Sequence, residues 1–205
     1  MRLIIIGGGG MAHEAAWYAA DCGFKVKGYL ADEENPKFKA NFLGRWQDYS
    51  ANLDDSFIIA IGNPHLMDVR KEMFVAMRAR GWKFANLIHP TAQISPSAQI
   101  GAGNIIAPFC LVTTNVKIGD NNIFNVRTSV MHDDSIDSHN VFSPNCALSG
   151  AVEIGEMNFF GSCACIFPGV KIGDKNKIQS GVMVRKSVSE AKFIYPSFEN
   201  LIKEI

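Results

Sequence analysis

The sequence predicts an α/β N-terminal half joined to an all-β parallel β-helix of hexapeptide repeats. Three observations lead there. Over the first half, short apolar runs alternate with helical patterns, and four glycines, Gly7 to Gly10, follow the first run. From Ile94 to Val184 every sixth residue is apolar, sixteen in succession, a spacing that neither a helix (period about 3.6) nor a plain strand (period about 2) requires. Sorted by threes, these residues form columns of like side chains, as stacked coils with three six-residue sides demand.

In order, Leu3 to Ile6 reads as a buried strand, the glycine run as a loop, and Met11 to Cys22 as a helix ended by Gly23. Phe24 to Leu30 is a second strand closing on Asp32, and Phe57 to Ile61 a third, cut off by Gly62-Asn63-Pro64. Leu66 to Arg80 is a helix stopped by Gly81. Such alternation gives a parallel sheet covered by helices. The stretch from Asn35 to Leu53 reads as a loop with a short helix or strand. The division expected is 1–85 for the α/β domain, 86–186 for the β-helix, and 187–205 for a tail with a short helix over Phe198 to Ile205.

Within the repeat, one column reads Ile94, Val112, Val130, Leu148, Ile166, Val184 and the next is isoleucine throughout, from Ile100 to Ile172. The third is Ile106, Phe124, Phe142, Phe160, Ile178. Each isoleucine of the second column is followed by glycine (Gly101, Gly119, Gly155, Gly173) except at Asp137. Glycine there is expected to serve a corner with unusual backbone angles. Asp137, in the coil that carries His132, marks the irregular coil where chemistry is expected. Five coils at an inter-strand spacing of about 4.8 Å give a prism roughly 24 Å long.

A formal net charge of zero and a pI near 6.9 argue against nucleic acid or an anionic membrane as partner. No apolar run reaches bilayer length, and the short Met1 to Ile6 run reads as a strand, so a cytoplasmic protein without membrane insertion is expected. Five cysteines (Cys22, Cys110, Cys146, Cys163, Cys165) have no framework or zinc spacing, so no metal site is expected.

Chemistry has to come from residues the repeat does not need. His132 follows the inward Val130 and projects from a central coil, beside a carboxylate, Asp133, that can fix the imidazole's tautomer. A solvated surface histidine is the competing reading. The glycine run fits a phosphate-holding loop at a helix start, with Asp32 closing the second strand; dinucleotide binding is the rival use of such a domain.

Together the segments IIIGGGGMAHEAAWYAA, YLAD, AIGNPHLMDVR, LIHPTAQISPSAQIGAG, VMHDDSI and IFPGVKIGDKNKIQSGVMV resemble the sialic acid O-acetyltransferase and bacillosamine N-acetyltransferase family. That resemblance implies a Rossmann-like first domain, a left-handed β-helix, acetyl-CoA as donor, a nucleotide-linked amino sugar as acceptor, and a homotrimer with active sites in clefts between prisms. It places His132 on the family's base and Asp133 on its acidic partner. It places Gly9, Gly10, Met11, Asp32, Gly62 and Asn63 on the nucleotide-sugar side, and Val141, Gly150, Ser162 and Ser180 along the cofactor. Val141 stands where the family often has a second histidine, and His139 lies two residues before it. Met11-Ala12 replaces a family His-Gly, and the family's C-terminal Gly-Asn-Pro-Ala is missing.

The expected reaction is direct acetyl transfer, with His132 taking a proton from the attacking amine or hydroxyl. The alternatives are a binding or regulatory homologue, motivated by Val141 and Asp137, and an acyltransferase with another donor. A metal hydratase on the same prism needs three converging histidines, and the repeat has only His132 and His139. An NAD-dependent oxidoreductase lacks a second catalytic domain.

Overall fold

The computed structural model describes residues 2–196, so the helix expected over Phe198 to Ile205 lies outside the described residues. Its first part is a three-stranded parallel sheet: β1 (Arg2–Ile6), β2 (Lys25–Leu30) and β3 (Asp55–Ile59), in the order β2-β1-β3. Helix α1 (Gly10–Asp21) follows β1 and α2 (Met67–Ala79) follows β3. Leu3 to Ile6 and Phe57 to Ile59 are buried on both faces, which is why these strands read as unbroken apolar runs. The stretch after β2 forms neither a helix nor a strand of its own. It folds back along β2, with Tyr29 N–H donating to Asn41 O and Leu43 N–H to Tyr29 O, both at 2.8 Å.

From Leu87 the chain winds as a three-sided prism whose parallel ladders have seven, six and five strands. The first face stacks Leu87–Ile88, Ile105–Ile106, Ile123–Phe124, Val141–Phe142, Phe159–Phe160, Lys177–Ile178 and Phe193–Ile194. The second runs from Gln93–Ile94 to Met183–Val184 and the third from Gln99–Ile100 to Lys171–Ile172. Each apolar residue of the six-residue count is the second, inward member of its strand. Like stacks on like: the rings of Phe124 and Phe142 lie 4.8 Å apart and 7° from parallel, and those of Phe142 and Phe160 4.5 Å and 10°.

Two expectations are corrected. The corner glycines after the isoleucine column do not have positive φ; the left-handed residues sit two places further on, at Asn121, His139, Met157 and Lys175. The glycines are needed for space. A Cβ at Gly101 would run into the Asp120 side chain, one at Gly119 would stand 2.6 Å from Ser138 Oγ, and one at Gly155 would strike Asp174. Those side chains fold over to accept the amides of Ala102, Asp120 and Glu156. Above Asp137 the overhanging residue is Glu156, whose carboxylate reaches out to Lys71 on α2 instead. Asp137 is therefore tolerated because nothing folds over it, and packing explains the exception. The second correction concerns the tail: Phe193–Ile194 pairs with Lys177–Ile178 and Val188 bridges Ile172, so residues past 186 close the end of the prism.

The three corners have different tasks. At the third corner, between the third and first faces, an asparagine column carries hydrogen bonds from coil to coil. Asn104, Asn122, Asn140 and Asn158 each accept the amide of the asparagine one coil on, at 2.8 Å. Helix α2 docks against this corner through Phe74, whose ring meets His139 edge-on at 5.4 Å, and through the Lys71–Glu156 pair.

Candidate functional site

The C-terminal ends of β1 and β3 lie side by side, because the strands are parallel neighbours, and their loops open a crevice. It widens into a cavity of about 1130 Å³ between the α/β part and the first face. Gly9, Gly10, Met11, Asp32, Gly62 and Asn63 all line it, together with Val141, Ile123, Asn125 and Ser143 from the prism. A Cβ on Gly9 or Gly10 would meet nothing within 4 Å, so no packing demands glycine there; what their bareness does is leave the backbone approachable. Gly9 caps α1 without a side-chain hydrogen bond, and no acidic residue occupies the first turn. The first amides of α1 have no intrahelical acceptor, the arrangement that favours an anion at a helix start. The charged side chains lining the cavity are Glu14, Asp32 and Glu72, all acidic.

His132 is elsewhere. It sits at the second corner, between the second and third faces, with its side chain 60% exposed. Its Nδ1 lies 2.9 Å from Asp133 Oδ2, and Asn115 Nδ2 donates to the other carboxylate oxygen at 3.0 Å. The His132 bond, then that from Asn115, holds the Asp133 carboxyl below the usual carboxylate range. With Nδ1–H donating to Asp133, Nε2 carries the free lone pair of a general base. The ring lies over Gly150: a Cβ there would stand 2.9 Å from His132 Nε2, and Gly150 has φ +102°. Ser162 and Ser180 stack at the first corner, where Gly181 N–H donates to Ser162 O at 2.8 Å.

The residues singled out in the sequence thus fall into three groups. His132, Asp133 and Gly150 meet at the second corner. The glycine loop, Asp32, Gly62, Asn63 and Val141 share the cavity. Ser162 and Ser180 continue the first corner beyond Ser143. Within one chain, the width of the second face separates the base from the cavity.

His139 lies apart from both His132 and the cavity. It is 5% exposed, its Nδ1 accepts from Asn121 Nδ2 at 2.9 Å, and burial, then the Arg70 guanidinium, pushes its pKa down to about 4. It is a neutral packing histidine at a different corner from His132. Among the described residues, no group of three or more His, Cys, Asp or Glu could hold a metal ion. Among them, too, no helix is long and apolar enough to cross a membrane.

Known proteins agree with this architecture. Residues 2–76 match the PglD N-terminal domain family. The acetyltransferase domain of PglB from Neisseria gonorrhoeae superposes with a TM-score of 0.87 at 26% identity, covering 94% of this chain and 95% of that one; it has also been solved with acetyl coenzyme A. PerB from Caulobacter crescentus, in complex with CoA and GDP-perosamine, gives 0.84 at 28% identity over 94% of this chain and 93% of its own. This chain is an acetyltransferase. Its prism is the left-handed β-helix of that class, and the resemblance read from its sequence motifs is borne out. WeeI from Acinetobacter baumannii, at 20% identity and a TM-score of 0.77 over 95% of this chain and 97% of its own, shares the fold. No curated protein sequence matches significantly.

One residue that sequence reasoning passed over is Asp134, 1% exposed directly behind the base. The signal was present: it is the one acidic residue in a column otherwise aliphatic, Ala98, Val116, Val152 and Val170.

Proposed function

We propose that the protein transfers the acetyl group of acetyl-CoA to an amine or hydroxyl of a nucleotide-linked amino sugar. His132 takes the proton of the attacking group, and Asp133 fixes its Nδ1–H tautomer. One observation carries this reading: an exposed imidazole, bonded through Nδ1 to a carboxylate held by Asn115, lies over a glycine whose bareness makes room for the ring, with its Nε2 unbonded among the described residues. The nucleotide part occupies the cavity, where loop amides and the start of α1 face the phosphates and Asp32 accepts from base or ribose hydroxyls. The three cavity carboxylates disfavour a ligand whose only charge is negative, and they suit one that also bears an ammonium. PerB, solved with CoA and GDP-perosamine, supports both donor and acceptor class.

Because cavity and base lie at different corners, the complete site forms between copies, with the cavity of one chain facing His132 of the next. The outward residues of the second face support this. After Gln93 they are Leu111, Ser129, Ala147, Cys165 and Met183, small or apolar, against Gln99, Lys117, Ser135, Glu153 and Lys171 on the third. A closed threefold ring fits such a prism. Gly150, Ser162 and Ser180 then border the cleft in which the pantetheine arm lies, and holding both substrates there supplies the orientation part of the rate.

The test is a panel of UDP-, GDP-, dTDP- and CMP-linked amino sugars with acetyl-CoA, followed by free thiol release and mass spectrometry of the product. Acetylated sugar nucleotide is the expected result. Failure of every acceptor, together with absence of CoA binding at millimolar concentration by calorimetry, overturns the reading in favour of a binding homologue.

A further inference from the structure

Every coil of the prism has a residue at the inner end of its second corner, and in four of them it is aliphatic: Ala98, Val116, Val152, Val170. The coil of His132 puts a carboxylate there. Asp134 is buried, and its two oxygens are both engaged: Oδ2 accepts the amide of Met131 at 2.9 Å and Oδ1 accepts that of Val152, one coil on, at 2.8 Å. In the neighbouring coils, the residue in Met131's place donates to the next coil instead. Thr113 N–H donates to Val130 O at 3.0 Å and Ser149 N–H to Ile166 O at 3.1 Å. Asp134 therefore diverts one ladder bond at the end of the strand that leads into His132 and spans the gap with its own side chain. That gap is where the imidazole lies over Gly150.

The substitution is costly for the fold. Burial raises the Asp134 carboxyl to about 6, so the ionised form is disfavoured relative to the unfolded chain. The charged groups nearest it are His132 and Asp133 of its own turn, while the coils on either side present Val116 and Val152. A buried carboxylate in an aliphatic column, next to the base, is what a residue retained for function looks like.

We propose that Asp134 is the positioning residue of this corner: its carboxylate holds the Met131–Asp134 turn away from the next coil, so that His132 stays over Gly150 with Nε2 free. The inference rests on the reading of His132 as the base. Asp134 touches no substrate and acts through the turn.

The test compares wild type with Asp134→Val, the residue of the neighbouring coils, and Asp134→Asn, which keeps one acceptor oxygen. Three readouts are needed. In thermal melts at pH 7.5, D134V melts no lower than wild type, and any gain shrinks as the pH falls from about 6 towards 4, where the wild-type carboxyl takes up its proton. In thiol release from acetyl-CoA with GDP-perosamine or a UDP-4-amino sugar, D134V lowers kcat about 10- to 100-fold with KM for acetyl-CoA within about twofold, and D134N recovers part of the loss. In imidazole ¹⁵N NMR, assigned with a His132→Ala control, wild type shows the neutral ring as the Nδ1–H tautomer and D134V shows a mixture.

The NMR readout needs no acceptor. If wild type turns over neither sugar nucleotide, the proposed reaction is at fault and the ring signals still decide the role of Asp134. Unchanged kcat and ring signals in D134V overturn the proposal. So does a D134V that melts well below wild type at pH 7.5, since that makes Asp134 a structural residue.

Discussion

Two histidines of one coil, seven residues apart, have opposite fates. His132 stands largely in solvent with a carboxylate on one nitrogen and the other over Gly150; His139 is sealed between the third corner and α2, neutral, accepting from an asparagine. Both occupy corners of the same six-residue pattern, so the repeat does not distinguish them. What does is the partner each corner meets. Helix α2 covers the third corner with Phe74, Arg70 and Lys71 and turns its polar residues into packing, whereas among the described residues no element covers the second corner at His132.

This contrast can be broken from either side. His132→Ala is expected to reduce acetyl transfer about 10²- to 10⁴-fold, the usual weight of a general base, with the melting temperature unchanged. His139→Phe leaves turnover within about threefold under the same thiol-release assay. Equal losses in the two variants would erase the distinction. Gly150→Ala comes next: its Cβ would meet the imidazole, and its φ of +102° is strained for alanine. A loss of about 10- to 100-fold in kcat is expected, with nucleotide binding in the distant cavity unaffected by calorimetry.

On stability the roles reverse. The folded-state pKa of His139, about 4, lies below the ordinary 6.5, so the native state refuses a proton that the unfolded chain accepts. Its contribution is complete above about pH 6.5 and is lost as the pH falls towards 4, at most about 3 kcal/mol by linkage. Denaturant melts at pH 7.5 and 4.5 should show a smaller acid loss in His139→Phe than in wild type; an identical loss would place the acid sensitivity elsewhere.

The smallest effect is expected at Arg70, which is fully buried and, among the described residues, has no hydrogen-bond partner on any guanidinium nitrogen. Burial pulls its pKa down to about 9. Replacing an unpaired buried cation by an apolar chain of similar length removes a desolvation cost, so Arg70→Met should raise the melting temperature by a few degrees, about 1–2 kcal/mol. A lower melting temperature would show that the guanidinium supports the α2 docking.

Much of this was legible in the sequence because it is periodic or local. The inward residue of every coil from Ile94 to Val184 could be read from the count of six, and the glycine loop from its place between a strand and a helix. Asp137 misled for a physical reason. A missing corner glycine looks like a functional irregularity, but the space it fills depends on whether the side chain nineteen residues on folds over it, and Glu156 is drawn away to Lys71. Asp134 was overlooked though its column is visible, because a carboxylate in the run His132-Asp133-Asp134 reads as surface charge until its burial is known.

The sequence alone determined the prism, its three columns and the α/β domain before it, because a six-residue spacing of apolar side chains and a strand-glycine-helix order each have few packed solutions. It also singled out candidates for the chemistry, His132 and the glycine loop among them. Only the tertiary structure decided which of them meet. The docking of α2 buried His139 and left His132 open. The crevice between β1 and β3 collected the cavity residues on the first face. Each outcome depends on which corner lies against which element, and contacts between distant parts of a chain are not encoded in any local spacing.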